Sequence, residues 1–248
     1  MFSIAVILIT VKECVIPHFI SRRVSLSTPS IIPRQIWQTH NTRVFKEPVC
    51  QNINTLLSYS SEYDYRLYND DEMINSLIHF PKLQKIVKSL KIGAFKADIW
   101  RFAMMYAYGG IYVDFDSEFT ANISTVILNT DSFVVIPMRD SSLGHYVLIS
   151  AAKNPVFKCA LDRAEKLYEN MATVTLRNYK DFAGPTALSR CAHLAVDVKK
   201  LDMKSNGIVK MFGSNRRTYY LEEKSKKHYW SSIVQYHQLT NISWMFGT

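Results

Sequence analysis

The feature that most constrains this chain is the stretch ADIWRFAMMYAYGGIYVDFD at residues 97–116. Apolar side chains recur at three- and four-residue steps over residues 92–108, which predicts a helix with one buried stripe. Gly109 and Gly110 are expected to end this helix, because glycine readily adopts the left-handed backbone found at helix ends. Residues 111–113 then predict a short buried strand. The stretch therefore indicates a helix that leads directly into a strand of a buried sheet.

Two carboxylates follow this strand, Asp114 and Asp116. Residues two apart on a strand point to the same side, so both could face one site. Adjacent carboxylates repel each other unless a cation neutralises them, and oxygen ligands suit Mn²⁺ or Mg²⁺. Solvated aspartates in a turn are the alternative for an isolated Asp-x-Asp. The buried helix, the glycine pair and the apolar strand before it favour a metal site.

Asp98 and Arg101 lie three residues apart in the predicted helix and so share a face. On spacing alone they could form a surface ion pair, which contributes about 0.3–0.5 kcal/mol. The functional alternative is that both side chains project toward the pocket of Asp114 and Asp116.

The rest of the chain alternates strand-like and helix-like segments, which is typical of an α/β domain with a mixed, mainly parallel central sheet. Strands are predicted at 31–38, 63–69, 111–113 and 132–137. Helices are predicted at 48–59, after Asn69, and at 81–90, 92–108, 155–171 and 185–196. Ligands of such sheets bind beyond the carboxyl ends of the strands, where Asp114 and Asp116 would lie.

The formal charge of +9 favours anionic partners such as phosphates, nucleotides or an acidic membrane surface. The four cysteines form no Cys-x-x-Cys pair, which argues against a zinc cage. Four buried thiols are expected, and one or two disulfides are the alternative for a secretory chain.

The first eleven residues, MFSIAVILITV, form an apolar run that is too short to cross a bilayer as a helix, which takes about 20 residues. A targeting or anchoring segment is expected, with a buried strand as the alternative. We therefore predict two regions, an N-terminal segment with its linker over residues 1–30 and a catalytic domain over residues 31–248. The predicted location is the secretory pathway or a Golgi-type membrane, with the cytoplasm as the alternative.

Four segments occur in the order seen in a known family: IPRQIWQT at 32–39, the central stretch at 97–116, GP at 184–185 and YHQLTNISW at 236–244. Together they resemble the DXD-containing glycosyltransferases of family 32, which includes the fungal initiating α-1,6-mannosyltransferase. More distantly they resemble the large glucosylating toxins. The resemblance implies a GT-A fold and retaining transfer of a sugar from a nucleotide-sugar donor.

Roles for individual residues follow from the resemblance. Asp98 and Arg101 would hold the donor sugar, and Asp114 would contact the ribose or sugar. Asp116 would bind the metal, with His237 as a further ligand and Asp114 beside them. Further donor-binding positions implied by the motifs are Trp37 beside the base, Tyr112, Gly184, Pro185, Ser243 and Trp244.

Three classes of function are compatible with these residues. The leading one is a Mn²⁺- or Mg²⁺-dependent hexosyltransferase that uses GDP-mannose or a UDP-hexose and a glycan, glycolipid or glycoprotein acceptor. The second is a metal-dependent phosphohydrolase or nuclease, which also needs clustered carboxylates. The third is a basic, non-catalytic module for nucleic acid or anionic surfaces, motivated by the lysines and arginines of residues 199–228. No nucleic-acid recognition motif is present, so no nucleic-acid partner is predicted.

Overall fold

The computed structural model describes residues 13–21, 29–47, 49–115, 117–119, 121–136, 143–170, 181–195, 197–200 and 209–211. The strands are β1 Glu13–Val15, β2 Phe19–Ile20, β3 Gln35–Thr39, β4 Val44–Lys46, β5 Asp64–Tyr68, β6 Gly110–Val113, β7 Ser117–Phe119, β8 Phe133–Val135, β9 Val147–Ser150, β10 Val198–Lys200 and β11 Val209–Met211. The α-helices are α1 Val49–Tyr59, α2 Asp70–Ser76, α3 Pro81–Ser89, α4 Gly93–Tyr108, α5 Pro155–Glu169 and α6 Pro185–Cys191. Short 3-10 helices lie at Leu77–His79, Ile123–Thr125 and Ala192–Leu194.

The central sheet has the strand order β10-β8-β9-β6-β3-β5-β2. Its β3, β5, β6, β8 and β10 run in one direction, while β9 and β2 run in the opposite direction. The predicted α/β fold with a mixed, mainly parallel sheet is therefore confirmed. The sequence analysis assigned no strand to β9, which inserts antiparallel between β6 and β8.

Side chains of the strands alternate between two hydrophobic layers, as the period of two along a strand requires. Trp37, Tyr112 and Leu148 face the layer built by α2 to α6. Ile36 and Ile111 face the other layer, which contains α1 and the segment around Ile123–Thr125. The helix α4 is thus held against the same face of the sheet toward which Tyr112 points.

The glycine pair ends α4 as predicted and starts β6. Gly109 has φ +67° and Gly110 has φ +96°, both in the left-handed region. A Cβ on Gly109 would stand 2.5 Å from the backbone nitrogen of Ala152, and a Cβ on Gly110 would stand 2.5 Å from the carbonyl oxygen of Gln35. Backbone conformation and close packing therefore both require glycine here.

The N-terminal part of the described chain is built into the domain. Strand β1 pairs with β4, and β2 forms the edge of the central sheet beside β5. Residues 13–20, which the sequence analysis assigned to the N-terminal segment and linker, are therefore folded against residues of the predicted catalytic domain. The apolar run itself, residues 1–11, lies outside the described residues. Among the described residues, no helix has the length and apolar character needed to span a bilayer.

The expectation of four buried thiols is wrong, because the cysteines form two disulfides. Cys14 is bonded to Cys50, and Cys159 is bonded to Cys191. The first disulfide joins β1 to α1, and the second joins α5 to α6. Sequence separations of 36 and 32 residues hid both pairings from the sequence, since contacts between distant elements leave no local pattern.

Candidate active site

Asp98 and Arg101 form a buried ion pair on α4. Arg101 Nη2 lies 2.6 Å from Asp98 Oδ1, and the two residues are only 1% and 4% exposed. The alternative of a surface ion pair is therefore wrong. A charged pair this deeply buried requires further polar partners to offset its loss of hydration.

One of these partners is Asp114, which follows the last residue of β6. Arg101 Nη2 lies 3.2 Å from Asp114 Oδ1, and Arg101 Nη1 donates to Asp114 Oδ2 at 3.4 Å. The Asp114 side chain is 25% exposed, whereas that of Asp98 is 2% exposed. Arg101 thus joins one buried and one partly exposed carboxylate, and the side chains predicted from the helix and from the strand end meet.

Tyr112 completes this contact from the same face of β6. Its hydroxyl donates to Asp114 Oδ1 at 2.6 Å, and the Arg101 guanidinium lies 4.4 Å from the centre of its ring. Burial raises the pKa of the Tyr112 phenol well above its ordinary value, so the phenol stays protonated and remains a hydrogen-bond donor.

The strand ends before the second aspartate. Strand β6 ends at Val113, and the Ser117 amide donates to the Asp114 carbonyl at 3.0 Å. The strand alternation that predicted a common side for the two carboxylates therefore stops at Val113. Asp116 itself lies outside the described residues, and its role as a metal ligand stays a prediction.

A residue that the sequence analysis missed, His145, contacts both members of the buried pair. Arg101 Nη1 donates to the His145 carbonyl at 2.7 Å, and His145 Nε2 lies 3.4 Å from Asp98 Oδ2. His145 precedes β9, whose pairing with β6 brings it to this edge of the sheet. The sequence LGHYVLIS at 143–150 offered a signal, because a glycine and a histidine precede an apolar run.

Gly184 and Pro185 form the start of α6, as predicted, with Gly184 at the N-cap and Pro185 in the first turn. The helix contacts the segment that holds His145, because the Leu143 amide donates to Ser189 Oγ at 2.8 Å. The pair thus belongs to an element beside the site.

Trp37 points away from Asp114. Its indole N–H donates to the Gly109 carbonyl at 2.7 Å, and Gly109 lies at the opposite end of β6 from Asp114. Here the indole lines a cavity of about 520 Å³ together with Gln35, Arg66 and other residues. Contact of Trp37 with a nucleotide base stays a prediction.

The remaining predicted positions, His237, Ser243 and Trp244, lie outside the described residues. Strand β11 pairs with β7, so residues 209–211 run beside the segment that follows Asp114. Within the described ranges, no three His, Cys, Asp or Glu side chains are grouped so that they could hold a metal ion.

The carboxylate of Asp114 has chemistry that fits a divalent cation. A carboxylate can accept about four hydrogen bonds, and Tyr112 and Arg101 leave part of this capacity free on a partly exposed side chain. Hard oxygen donors of this kind suit Mn²⁺ or Mg²⁺.

The part of the chain that carries Asp98, Arg101 and Asp114 resembles a family of sugar transferases. Residues 46–134 match the family described as "Glycosyltransferase sugar-binding region containing DXD motif". The predicted resemblance to the DXD-containing glycosyltransferases of family 32 is confirmed by this match and by the relatives.

Two relatives are enzymes of Saccharomyces cerevisiae. The mannosyl phosphorylinositol ceramide synthase SUR1 is 26% identical over 165 residues, which cover 65% of this chain and 42% of the relative. The initiation-specific alpha-1,6-mannosyltransferase is 30% identical over 95 residues, which cover 35% of this chain and 20% of the relative. The chain thus spans less than half the length of either relative.

Among solved structures, the PaToxG glycosyltransferase has a similar fold, with a TM-score of 0.53. It is 15% identical, and the superposition covers 65% of this chain and 68% of that chain. This likeness supports the fold and carries no information on substrate.

Proposed function

We propose that this protein is a retaining, metal-dependent glycosyltransferase that moves a hexose from a nucleotide-sugar donor to a hydroxyl of a glycan, glycolipid or glycoprotein. The observation that carries the proposal is the contact of Arg101 with both Asp98 and Asp114 at the carboxyl end of β6. Mannose is the first choice of sugar, because both yeast relatives are named for mannosyl transfer. GDP-mannose is accordingly the first donor to test, followed by UDP-glucose and UDP-galactose.

The buried pair supplies the sugar subsite in this proposal. Asp98 is fixed by Arg101, and its second carboxylate oxygen has no hydrogen-bond partner among the described residues, so it can accept from a sugar hydroxyl that reaches it. A carboxylate beside the reacting carbon also favours the positive charge that develops on the sugar as the glycosidic bond breaks. Burial strengthens both effects, because few water molecules screen the charges.

Asp114 and Tyr112 orient the donor at the partly exposed end of the cluster. The phenol of Tyr112 and the guanidinium of Arg101 hold the Asp114 carboxylate in one position, so its remaining lone pairs face a defined direction. A hydroxyl of the ribose or the sugar would donate to them. A divalent ion held by Asp116 and Asp114, with His237 as a further ligand, would neutralise the leaving diphosphate. Front-face substitution is the stereochemical course that we expect for the retaining transfer.

The test is hydrolysis and transfer with a panel of GDP-mannose, UDP-glucose and UDP-galactose in Mn²⁺, with products identified by mass. Asp114→Asn should reduce turnover by about 10²–10³-fold, the loss typical of removing one electrostatic group from an active site. Asp162→Asn is the matched control, because Asp162 is an exposed carboxylate on α5 that pairs with Lys158. Turnover of a phosphodiester but of no nucleotide sugar would instead identify a phosphohydrolase.

Asp98→Asn separates the sugar subsite from the nucleotide subsite. Turnover should fall much more than nucleotide affinity, because Asp98 is proposed to contact the sugar alone. Equal losses in turnover and in nucleotide affinity would argue against this assignment. Asp116→Ala should abolish transfer and leave the unfolding temperature unchanged, and full transfer by that variant would refute the metal role of Asp116.

The two disulfides support a location in an oxidising compartment, such as the secretory pathway, since cytosolic thiols are kept reduced. Thiol alkylation of the protein extracted from cells tests this, with a gel shift that counts reactive cysteines. No modified cysteine before reduction and four after reduction are expected. Four modified cysteines before reduction would contradict the proposed location. Membrane association through residues 1–11 is a separate proposal, which fractionation of the full chain tests.

A further inference from the structure

One oxygen of the buried Asp98 carboxylate lacks a hydrogen bond. Oδ1 is paired with Arg101, whereas Oδ2 is buried and accepts no hydrogen bond from any residue that the structure describes. His145 Nε2 lies 3.4 Å from Oδ2, beyond the length of about 2.9–3.0 Å of an ordinary N–H···O bond. Buried polar atoms are nearly always paired, so an oxygen of this kind calls for a partner such as a water molecule, an ion or a ligand group.

His145 is held at this position by its backbone. The Gly144 amide donates to the Ile136 carbonyl at 2.9 Å, and the Asp114 amide donates to the Tyr146 carbonyl at 2.8 Å. Arg101 binds the carbonyl of His145 itself. The segment that carries His145 is therefore held by hydrogen bonds at three successive residues, and two of these bonds go to the site residues Arg101 and Asp114.

Close contacts around residue 144 explain why glycine precedes His145. A Cβ on Gly144 would stand 2.7 Å from the ring of Tyr146 and 3.0 Å from the Ile136 carbonyl oxygen. Any larger residue at this position would therefore have to displace the Tyr146 ring and approach the Ile136 carbonyl closely. The side chain of His145 is 22% exposed, so its ring borders both the buried carboxylate and the open part of the site.

We propose that His145 and Asp98 together bind one hydroxyl group of the transferred sugar. The hydroxyl donates a hydrogen bond to Asp98 Oδ2 and accepts one from the N–H of His145 Nε2. An oxygen that makes both bonds lies about 2.7–2.9 Å from each atom. Those lengths close a triangle on the observed 3.4 Å separation. His145 is then a specificity-determining residue, and this inference rests on the proposed sugar transfer.

The arrangement selects for the orientation of that hydroxyl. A donor with the hydroxyl in the other configuration, or without it, leaves the Asp98 oxygen unpaired on binding. Sites that hydrogen-bond a substrate hydroxyl reject analogues without it more strongly than apolar pockets reject a change in size. The inferred pair therefore contributes to the choice among hexoses.

The experiment measures kcat and KM of the full chain for the nucleotide hexose that wild type turns over in the panel above, and for its 2-, 3-, 4- and 6-deoxy analogues. His145→Ala should lower kcat/KM for the parent donor about 10–100-fold, the effect of a hydrogen bond to a charged or polar partner. For the single analogue that lacks the bound hydroxyl, the same substitution should cause little further loss. His145→Gln should recover part of the activity, because the glutamine amide also donates.

Two controls make the outcomes distinct. His193→Ala removes an exposed histidine whose ring contacts the carbonyl of Arg190, and it should leave kcat/KM unchanged. Unchanged kcat/KM in His145→Ala, or an equal loss for the parent donor and all four analogues, would overturn the inference and leave the proposed function standing. If wild type turns over no nucleotide sugar of the panel, the proposed function fails, and the inference fails with it.

Discussion

Replacing Arg101 by an uncharged residue tests, through a stability measurement, whether its ion pairs with Asp98 and Asp114 are buried. In Arg101→Met the apolar stem is kept, but Asp98 and Asp114 lose the cation that lies between them. Truncating one partner of a buried ion pair costs about 3–5 kcal/mol, because the remaining charge is left buried and unpaired. The carbonyl of His145 also loses its donor, which places the expected loss in the upper part of this range.

The loss can be read as a shift in melting temperature. For a domain of this size, 1 kcal/mol lowers the Tm by about 2–4 °C, so a loss of about 4–5 kcal/mol should lower it by about 8–20 °C. Thermal unfolding under non-reducing conditions, followed by circular dichroism, measures the shift. The matched control is Lys158→Met, which breaks an exposed ion pair with Asp162 and should cost at most about 1 kcal/mol.

The double variant Asp98→Asn/Arg101→Met separates the charge effect from the loss of packing. Replacing Asp98 by asparagine removes one of the two unpaired charges, so the double variant should be more stable than Arg101→Met alone. A loss in Arg101→Met no larger than that in Lys158→Met would refute the claim that the pair is buried. Equal stability of the single and double variants would show that the loss comes from packing.

Three further predictions concern stability. Gly109→Ala should lower the free energy of unfolding by more than the roughly 1–3 kcal/mol that a strained backbone costs, because its Cβ would also stand 2.5 Å from the backbone of Ala152. Chemical denaturation measures this loss, and an unchanged free energy of unfolding would contradict the close packing. Replacing Cys14 and Cys50 by serine removes a disulfide whose ends are 36 residues apart in sequence. The chain entropy gained by the unfolded state should lower the free energy of unfolding by about 4 kcal/mol. A loss of stability smaller than that of Lys158→Met would argue against the disulfide. Burial lowers the pKa of His40 from its ordinary value of 6.5, so as the pH falls the unfolded chain takes up this proton before the folded chain does. The free energy of unfolding should therefore decrease as the pH drops below about 6.5. In His40→Phe, the free energy of unfolding measured between pH 7.5 and 5.5 should show a smaller decrease than in wild type.

The local part of the site was predictable from the sequence. Helix α4, the glycine pair and strand β6 follow one another directly, and each is specified by residues of this short stretch. The structure places the bounds of α4 and β6 within one residue of those predicted. The spacing of Asp98 and Arg101 showed that they share a face. Their burial was not visible, because it depends on Asp114 and Tyr112 from the neighbouring strand.

The non-local part was not predictable. His145 reaches Asp98 only because β9 enters the sheet antiparallel between β6 and β8, and nothing near His145 in the sequence specifies that partner. The disulfides were missed for the same reason. For Trp37, the motif places the residue on β3 but does not fix the end of the strand toward which its indole points.

The pairing of Asp114 with Arg101 changes the argument for a metal. The sequence analysis invoked one divalent cation to neutralise two adjacent carboxylates, but Arg101 already supplies a positive charge to Asp114. The described cluster of Asp98, Arg101 and Asp114 carries one net negative charge, from two carboxylates and one guanidinium. A nucleoside diphosphate brought to this cluster adds further negative charge and would be repelled without a cation.

Nucleotide and metal should therefore bind cooperatively. Titration calorimetry with GDP and with UDP should show tighter binding in Mn²⁺ than in EDTA, by about 5–150-fold for an ordinary coupling between sites. Because coupling between two ligands is reciprocal, Mn²⁺ affinity should rise by the same factor when the nucleotide is bound. Asp162→Asn, which changes an exposed carboxylate of α5 that pairs with Lys158, should keep the full coupling. Equal nucleotide affinity with and without Mn²⁺ would show that side chains of the chain alone neutralise the diphosphate, and the metal would then have no part in donor binding.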